Sequence, residues 1–250
     1  MVELNTSCTI FQIPYTTNVA LDDYAEAVIQ DFSPSLLHSL GKFDICKFIE
    51  CYLQLNIAFH RITFDQKILG LTVFKDGMIE VFDDIKWKPS QTYVTRGTVV
   101  IDKSLLTGSS KPRLRFTMAH EAAHWLLHRK SFSTDNPCGS AGILENKYLA
   151  AKTGKGDYLR SAKARNDIER MERQADFFAS ALLMPRPALR VAIRDFFKLN
   201  EVNENPWRIV RGASQKDDRL AAYLPEYIAQ TFGVSKKAAT IRLEKLTVIT

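Results

Sequence analysis

The 250-residue sequence predicts an α+β fold, mainly helical, with a small and mostly antiparallel sheet and a helical hairpin at its C-terminal end. Three observations carry that expectation. Apolar residues recur at helical spacing in the first fifty residues and again from residue 113 onward. Between them the pattern changes to short alternating or β-branched runs. Helices, then strands, then helices do not make the βαβ alternation of a doubly wound sheet.

The elements follow in order. Leu21–Phe32 carries apolar residues at 21, 24, 25, 28, 29 and 32, with Asp22 and Asp23 in the first turn, and Ser33-Pro34 ends it. Asp44 reads as the N-cap of Ile45–Leu53, whose apolar face is Ile45, Phe48, Ile49, Tyr52 and Leu53. Leu55, Ile57 and Phe59 then alternate as a strand. Leu69–Phe74 and Met78–Phe82 flank Lys75-Asp76-Gly77, and Asp-Gly between two such runs predicts a hairpin. Thr98–Ile101 is a fourth β-branched run. Helices are expected over Arg113–His128, Ile168–Met184, Pro187–Lys198 and from Leu220 onward, while Lys130–Asp167 reads as a long loop with a short helix near Leu144–Ala151. Residues 1–200 are expected to form the main domain and 201–250 a helical segment packed on it.

Composition narrows the class. With 46% hydrophobic and 25% charged residues the chain reads as a soluble globular protein, far from the disordered regime. No apolar run reaches bilayer-spanning length, and Met1–Asn5 lacks the basic start and apolar stretch of a secretory signal, so no membrane partner and a cytoplasmic location are expected. The four cysteines show no CxxC spacing. Cys46 and Cys51 read as small buried hydrophobes, and metal held by thiolates is not expected. The net charge of +6 fits an acidic partner, but the positive residues are scattered through Lys147–Arg173 and Arg208–Lys245 and form no dense block.

The stretch Arg115-Phe116-Thr117-Met118-Ala119-His120-Glu121-Ala122-Ala123-His124 carries the chemistry. It contains HExxH. Four residues apart on a helix, His120 and His124 share one face with Cβ atoms about 5–6 Å apart, so both imidazoles can meet one zinc ion. Glu121, next in sequence, projects beside the ion and suits a general base acting on water there. His128 stands eight residues after His120, and Leu127 occupies the place of the glycine in H-E-x-x-H-x-x-G-x-x-H. It therefore reads as a helix C-terminal histidine near the negative dipole end, or as a rim residue.

The third ligand is expected downstream. In Ile168–Pro185 the residues Ile168, Met171, Ala175, Phe178, Ala179 and Leu182 make a buried helical stripe, and Pro185 stops the helix. Glu172 and Asp176 lie four apart on one face. Glu172 can then bind the ion while Asp176 accepts a hydrogen bond from the spare N–H of His120 or His124. Ala175 and Ala179 let this helix approach the first closely. Glu145 and Glu169 are the rival carboxylates, and neither has an aspartate four residues on.

With these residues in place, the sequence resembles the ImmA/IrrE family of metallo-endopeptidases. The likeness rests on Arg115–His124, resembling RFTxAHExxH. It rests also on Glu172-Arg173-Gln174-Ala175-Asp176-Phe177-Phe178-Ala179 with Leu182-Leu183-Met184-Pro185, resembling ExxAxxFAxxLLMP. Asp176 stands where family members tend to have asparagine, and Ala123 where they often have glycine. The resemblance implies a gluzincin-type, zincin-like core, one Zn2+ ion held by His120, His124 and Glu172, and a protein substrate that is itself a transcription regulator.

Ile228–Leu246 resembles a helix-turn-helix: Gly233 permits the turn, Val234 packs in it and Ser235 caps the second helix. Lys236, Lys237, Thr240 and Arg242 are the candidate DNA contacts. The chain's end at Thr250 leaves no room for a two-stranded wing, and the expectation favours a structural hairpin over a DNA-binding one. The expected function is thus zinc-dependent peptide-bond hydrolysis, with Thr98–Ile101 as a strand that pairs an extended substrate. Arg115, Tyr148 and Tyr158 are the candidates for stabilising the oxyanion. The alternative is a non-enzymatic regulator on the same scaffold that senses metal or binds a repressor or DNA.

Overall fold

Thr17 opens the first helix, α1 (Asn18–Phe32), of the computed structural model by accepting from the backbone N–H of Ala20 at 3.2 Å. The structure describes residues 13–107, 111–132, 162–202 and 208–250. Asp44 caps the next helix as expected, accepting from Lys47 N at 3.0 Å. This helix, α2 (Ile45–Lys47), widens at once into a five-residue turn over Phe48–Tyr52, where Leu53 N donates to Phe48 O. Ile45, Phe48 and Ile49 take its inner face, which leaves Cys46 and Cys51 exposed. The expectation that both thiols are buried is therefore corrected: the inward positions belong to larger apolar side chains that gain more from burial. Cys8 and Cys138 lie outside the described residues, as does the expected short helix near Leu144–Ala151.

Five strands follow: β1 (Asn56–His60), β2 (Gly70–Thr72), β3 (Gly77–Asp83), β4 (Lys88–Val94) and β5 (Thr98–Asp102). They form a three-stranded sheet in the order β1-β5-β2 and a two-stranded ribbon of β3 and β4. Among these five strands only β1 and β5 run parallel, so antiparallel pairing predominates, and a single parallel bridge joins Ile209 to Ile249. The hairpin expected across Asp76-Gly77 does not form. Every residue of β5 is buried, so it needs partners on both edges, and it takes β2 through Leu71↔Val100. Asp76-Gly77 becomes a corner that carries the chain from one sheet to the other, with Asp76 Oδ1 accepting from Arg96 N at 2.6 Å. β3 pairs instead with β4, from Gly77↔Val94 to Asp83↔Lys88. The Lys-Pro start and polar run of β4 conceal it from a search for apolar alternation.

The remaining helices are α3 (Lys111–His128), α4 (Ala162–Leu183), α5 (Arg186–Leu199), α6 (Gln215–Phe232) and α7 (Lys236–Lys245). In the core α3 contributes Ala119, Ala122 and Ala123, and α4 contributes Ala175, Phe178 and Ala179, all without exposed surface. Alanines at the contact let the two backbones approach, which is the condition for side chains on both helices to reach one point. Gly233 takes a left-handed φ of 66° between α6 and α7, a conformation that favours glycine, and Ser235 caps α7 through Ala238 N at 3.1 Å. Phe232, Val234, Ala239 and Leu243 belong to the same apolar cluster as Leu21, Phe48 and Met118. The hairpin is thus seated on the core. Among the described residues, no helix is long and apolar enough to cross a membrane.

The candidate metal centre

An unbroken helix over Lys111–His128 places His120, His124 and His128 one turn apart on one face, with Glu121 beside them. Glu172 and Asp176 are likewise one turn apart on α4. Where the helices cross, one ligand atom from each of His120, His124 and Glu172 falls within 4.8 Å of the others. The two Nε2 atoms are 3.0 Å apart. Glu172 Oε2 lies 3.1 Å from His120 Nε2, and its Oε1 lies 3.5 Å from His124 Nε2. Four atoms around zinc at ~2.0–2.1 Å stand roughly 3.3–3.4 Å from one another in a tetrahedron, so these spacings suit that ion.

The protons on the outer nitrogens say which way the lone pairs point. Both nitrogens of His120 face carboxylates, Nδ1 at 2.9 Å from Asp176 Oδ1 and Nε2 at 3.1 Å from Glu172 Oε2; with a cation at the convergence point Nδ1 is the one that keeps the hydrogen and donates, and Nε2 is bare. His124 Nδ1 faces His128 Nδ1 at 3.0 Å. With Nδ1 of His124 as the donor, its Nε2 is bare as well. Two imidazole lone pairs and a carboxylate then converge on one point, an arrangement that repels itself unless a cation lies between them. The donor set fits a metal ion.

Several expectations about neighbouring residues change. His128 is the last residue of α3, as expected of a helix C-terminal histidine, but it is not a rim residue: it is fully buried, paired to His124 and, at 3.0 Å, to Gln174 Oε1. Burial, with His124 beside it, pushes its imidazole down to about 3, so the ring is neutral throughout the physiological range. Arg115 points away from the centre and holds the end of α6, donating to Gly233 O at 3.1 Å and Phe232 O at 3.4 Å. It cannot stabilise an oxyanion from there. The Thr98–Ile101 run cannot pair a substrate either, because β5 is the middle strand and both its edges are occupied. Glu169 is exposed and stands outside the converging group, and Glu145, Tyr148 and Tyr158 lie outside the described residues.

Glu121 is 2% exposed. Thr72 of β2 donates its hydroxyl to Glu121 Oε2 at 2.7 Å and also sits 2.9 Å from the Glu121 carbonyl oxygen. On the other side Gly70 leaves room for the carboxylate: a Cβ there would stand 2.6 Å from Oε1 and 2.8 Å from Cγ. Lys67, Ile68, Gly70, Phe116 and Ile168 line a cleft of about 410 Å³ onto which His120, Glu121 and Glu172 open. Thr72 and Gly70 escape a reading of the sequence, because only the packing of β2 against α3 brings them there.

At the C-terminal hairpin Lys236 and Lys237 are exposed, and Thr240 turns its hydroxyl back to Lys236 O at 3.0 Å. Arg242 is fully buried. It donates to Asp22 Oδ1 at 2.5 Å and to Met184 O at 3.2 Å and lies over the Phe177 ring. Its place as a DNA contact is therefore withdrawn. α7 is short and turns that face inward, and the guanidinium is used to fasten it to α1 and α4.

A helix-borne pair of imidazoles faced by a carboxylate, with a buried glutamate alongside, is the kind of centre that metallopeptidases carry. Comparison with known families agrees with that class. The Peptidase_M78 family model, the IrrE N-terminal-like domain, matches residues 86–244. That is more than half of the chain, which therefore belongs to this family and is a metallopeptidase of the ImmA/IrrE type. No curated protein matches the chain.

Proposed function

We propose that the chain is a zinc-dependent endopeptidase in which His120, His124 and Glu172 hold one ion and Glu121 is the general base. The observation that supports this most directly is the convergence of three electron-rich ligand atoms beside a buried carboxylate on an open cleft. Held by His120, His124 and Glu172, a zinc ion would supply Lewis acidity toward the scissile carbonyl and would acidify water toward a pKa of ~7. Glu121 does the proton work: Oε2 is engaged by Thr72, and Oε1, over Gly70, takes the proton of the attacking water and returns it to the leaving amine. Asp176 holds His120 in the tautomer that offers Nε2. In this reading the substrate is a transcription regulator, as the sequence resemblance implies, and the reaction is cytoplasmic. The hairpin of α6 and α7 is structural in this reading.

Replacing Glu172 by Ala tests the ligand set. Zinc affinity, measured by chelator competition, is expected to fall by more than ~100-fold, beyond the cost of losing an outer hydrogen-bond partner. Parent-like affinity in Glu172→Ala would send the search for the third ligand elsewhere. A second test separates the base from the ion. Gly70→Ala pushes its Cβ against Glu121 Oε1, and a displacement of ~1 Å in a reacting group costs on the order of 10²-fold in rate. Cleavage of a co-expressed regulator should slow by about that factor with zinc content unchanged. An unimpaired Gly70→Ala enzyme would show that Oε1 need not sit there.

A further inference from the structure

His124 and His128 approach Nδ1 to Nδ1 at 3.0 Å, so one proton lies between the two rings. Which ring owns it is decided on the far side of His128. There Nε2 lies 3.0 Å from Gln174 Oε1. The Gln174 amide has one sensible orientation, because its Nε2 donates at 2.8 Å to the carbonyl of Pro14, a group that can only accept. Oε1 must then accept from His128 Nε2–H, and because the ring is fully buried with only His124 and Gln174 hydrogen-bonded to it among the described residues, its Nδ1 is left as the lone pair. His124 therefore keeps its hydrogen on Nδ1 and turns a bare Nε2 toward His120 and Glu172. Gln174 and both rings are buried, so water does not take over the bonds among these three side chains.

We propose that His128 and Gln174 are positioning residues that hold His124 ready for the metal, in a relay whose outer end is anchored on the main-chain carbonyl of Pro14. The proposal rests on the metallopeptidase reading above. The two ligand histidines are thus supported differently. His120 is backed by a half-exposed carboxylate, which raises its basicity, whereas His124 is backed by a neutral chain that orients it without adding charge. The anchor also ties the grip on the ion to a segment 160 residues away in sequence. Arg170 fastens that segment too, donating to Tyr15 Oη at 2.8 Å and to Ile13 O at 3.4 Å.

The test uses the full chain and zinc alone. In the metal-stripped parent, long-range proton–nitrogen correlation spectra should show His128 as the Nε2–H tautomer and His124 as the Nδ1–H tautomer. His128→Phe and Gln174→Leu should each weaken zinc binding ~10–100-fold in chelator competition. His128→Gln still offers a carbonyl to His124 and an amide hydrogen to Gln174, and should recover most of the loss. Affinities of His128→Phe and Gln174→Leu within about twofold of the parent, far inside that range, would overturn the relay. So would a proton found on Nδ1 of His128, a reading taken on the parent and needing no variant to fold. A parent chain that binds no zinc overturns the metallopeptidase reading and the relay together, whereas tight binding with indifferent variants overturns the relay alone.

Discussion

Glu121→Gln is expected to bind zinc like the parent and to hydrolyse its substrate ~10²–10⁴-fold more slowly, the range that a positioned general base contributes. In free energy this is roughly 2.7–5.5 kcal/mol of lost transition-state stabilisation. The amide is isosteric with the carboxylate, so Thr72 can keep its hydrogen bond to the side-chain oxygen and the space beside Gly70 remains filled. What the variant lacks is an oxygen able to accept a proton. Because Glu121 is not among the three converging ligand atoms, metal content should not change. Single-turnover cleavage of a regulator substrate alongside bound-zinc stoichiometry separates the two effects. A Glu121→Gln enzyme that cuts at the parent rate would remove Glu121 from the mechanism.

Asp22→Ala is expected to cost the fold about 3–5 kcal/mol, the usual penalty for stranding one member of a buried ion pair. Arg242 is wholly inside and Asp22 nearly so, and their 2.5 Å contact joins α7 to the second turn of α1, which starts three residues earlier than the apolar period announces. Burial already draws the guanidinium below the ordinary arginine range, with Asp22 pulling it back. Without the aspartate that desolvation is uncompensated. Arg242→Met alone should be costly for the same reason, since it leaves Asp22 buried. The double variant Asp22→Ala, Arg242→Met should recover much of the loss, because an apolar replacement of a whole buried pair is often close to neutral. Urea unfolding of the three variants reads this out. A single-variant loss below about 1 kcal/mol, the level of an exposed pair, would show that the pair is effectively solvated and does not fasten the hairpin.

Much of this molecule is legible in one dimension because its signals are local. Most helix ends lie within three residues of their expected places, since caps, prolines and apolar period act over one or two turns, but α4 starts six residues before Ile168 and α6 five before Leu220, where polar first turns carry no apolar signal. The spacing of His120 and His124 on one face follows from helix geometry alone, and so does that of Glu172 and Asp176. The same spacing was open to view for His128, one further turn along α3. Its burial was not, because that depends on α4 covering the end of α3, and so a ring read as a helix C-terminal or rim histidine became a buried partner of His124. Strand partners were harder still. A turn dipeptide states that the chain reverses but not which strands meet, and β5, buried throughout, drew β2 away from the expected hairpin.

The sequence by itself determined the helices, the α+β class and the two pairs of residues that α3 and α4 carry toward the centre, because each depends on contacts no further than four residues along the chain. Only the tertiary structure decided that Thr72 and Gly70 flank Glu121, that Arg242 faces Asp22 instead of solvent, and that Pro14 ends a relay to His124. Each of those joins segments dozens to more than two hundred residues apart. Such pairings are selected by how apolar faces of several elements fill one core together, and no single segment contains that information.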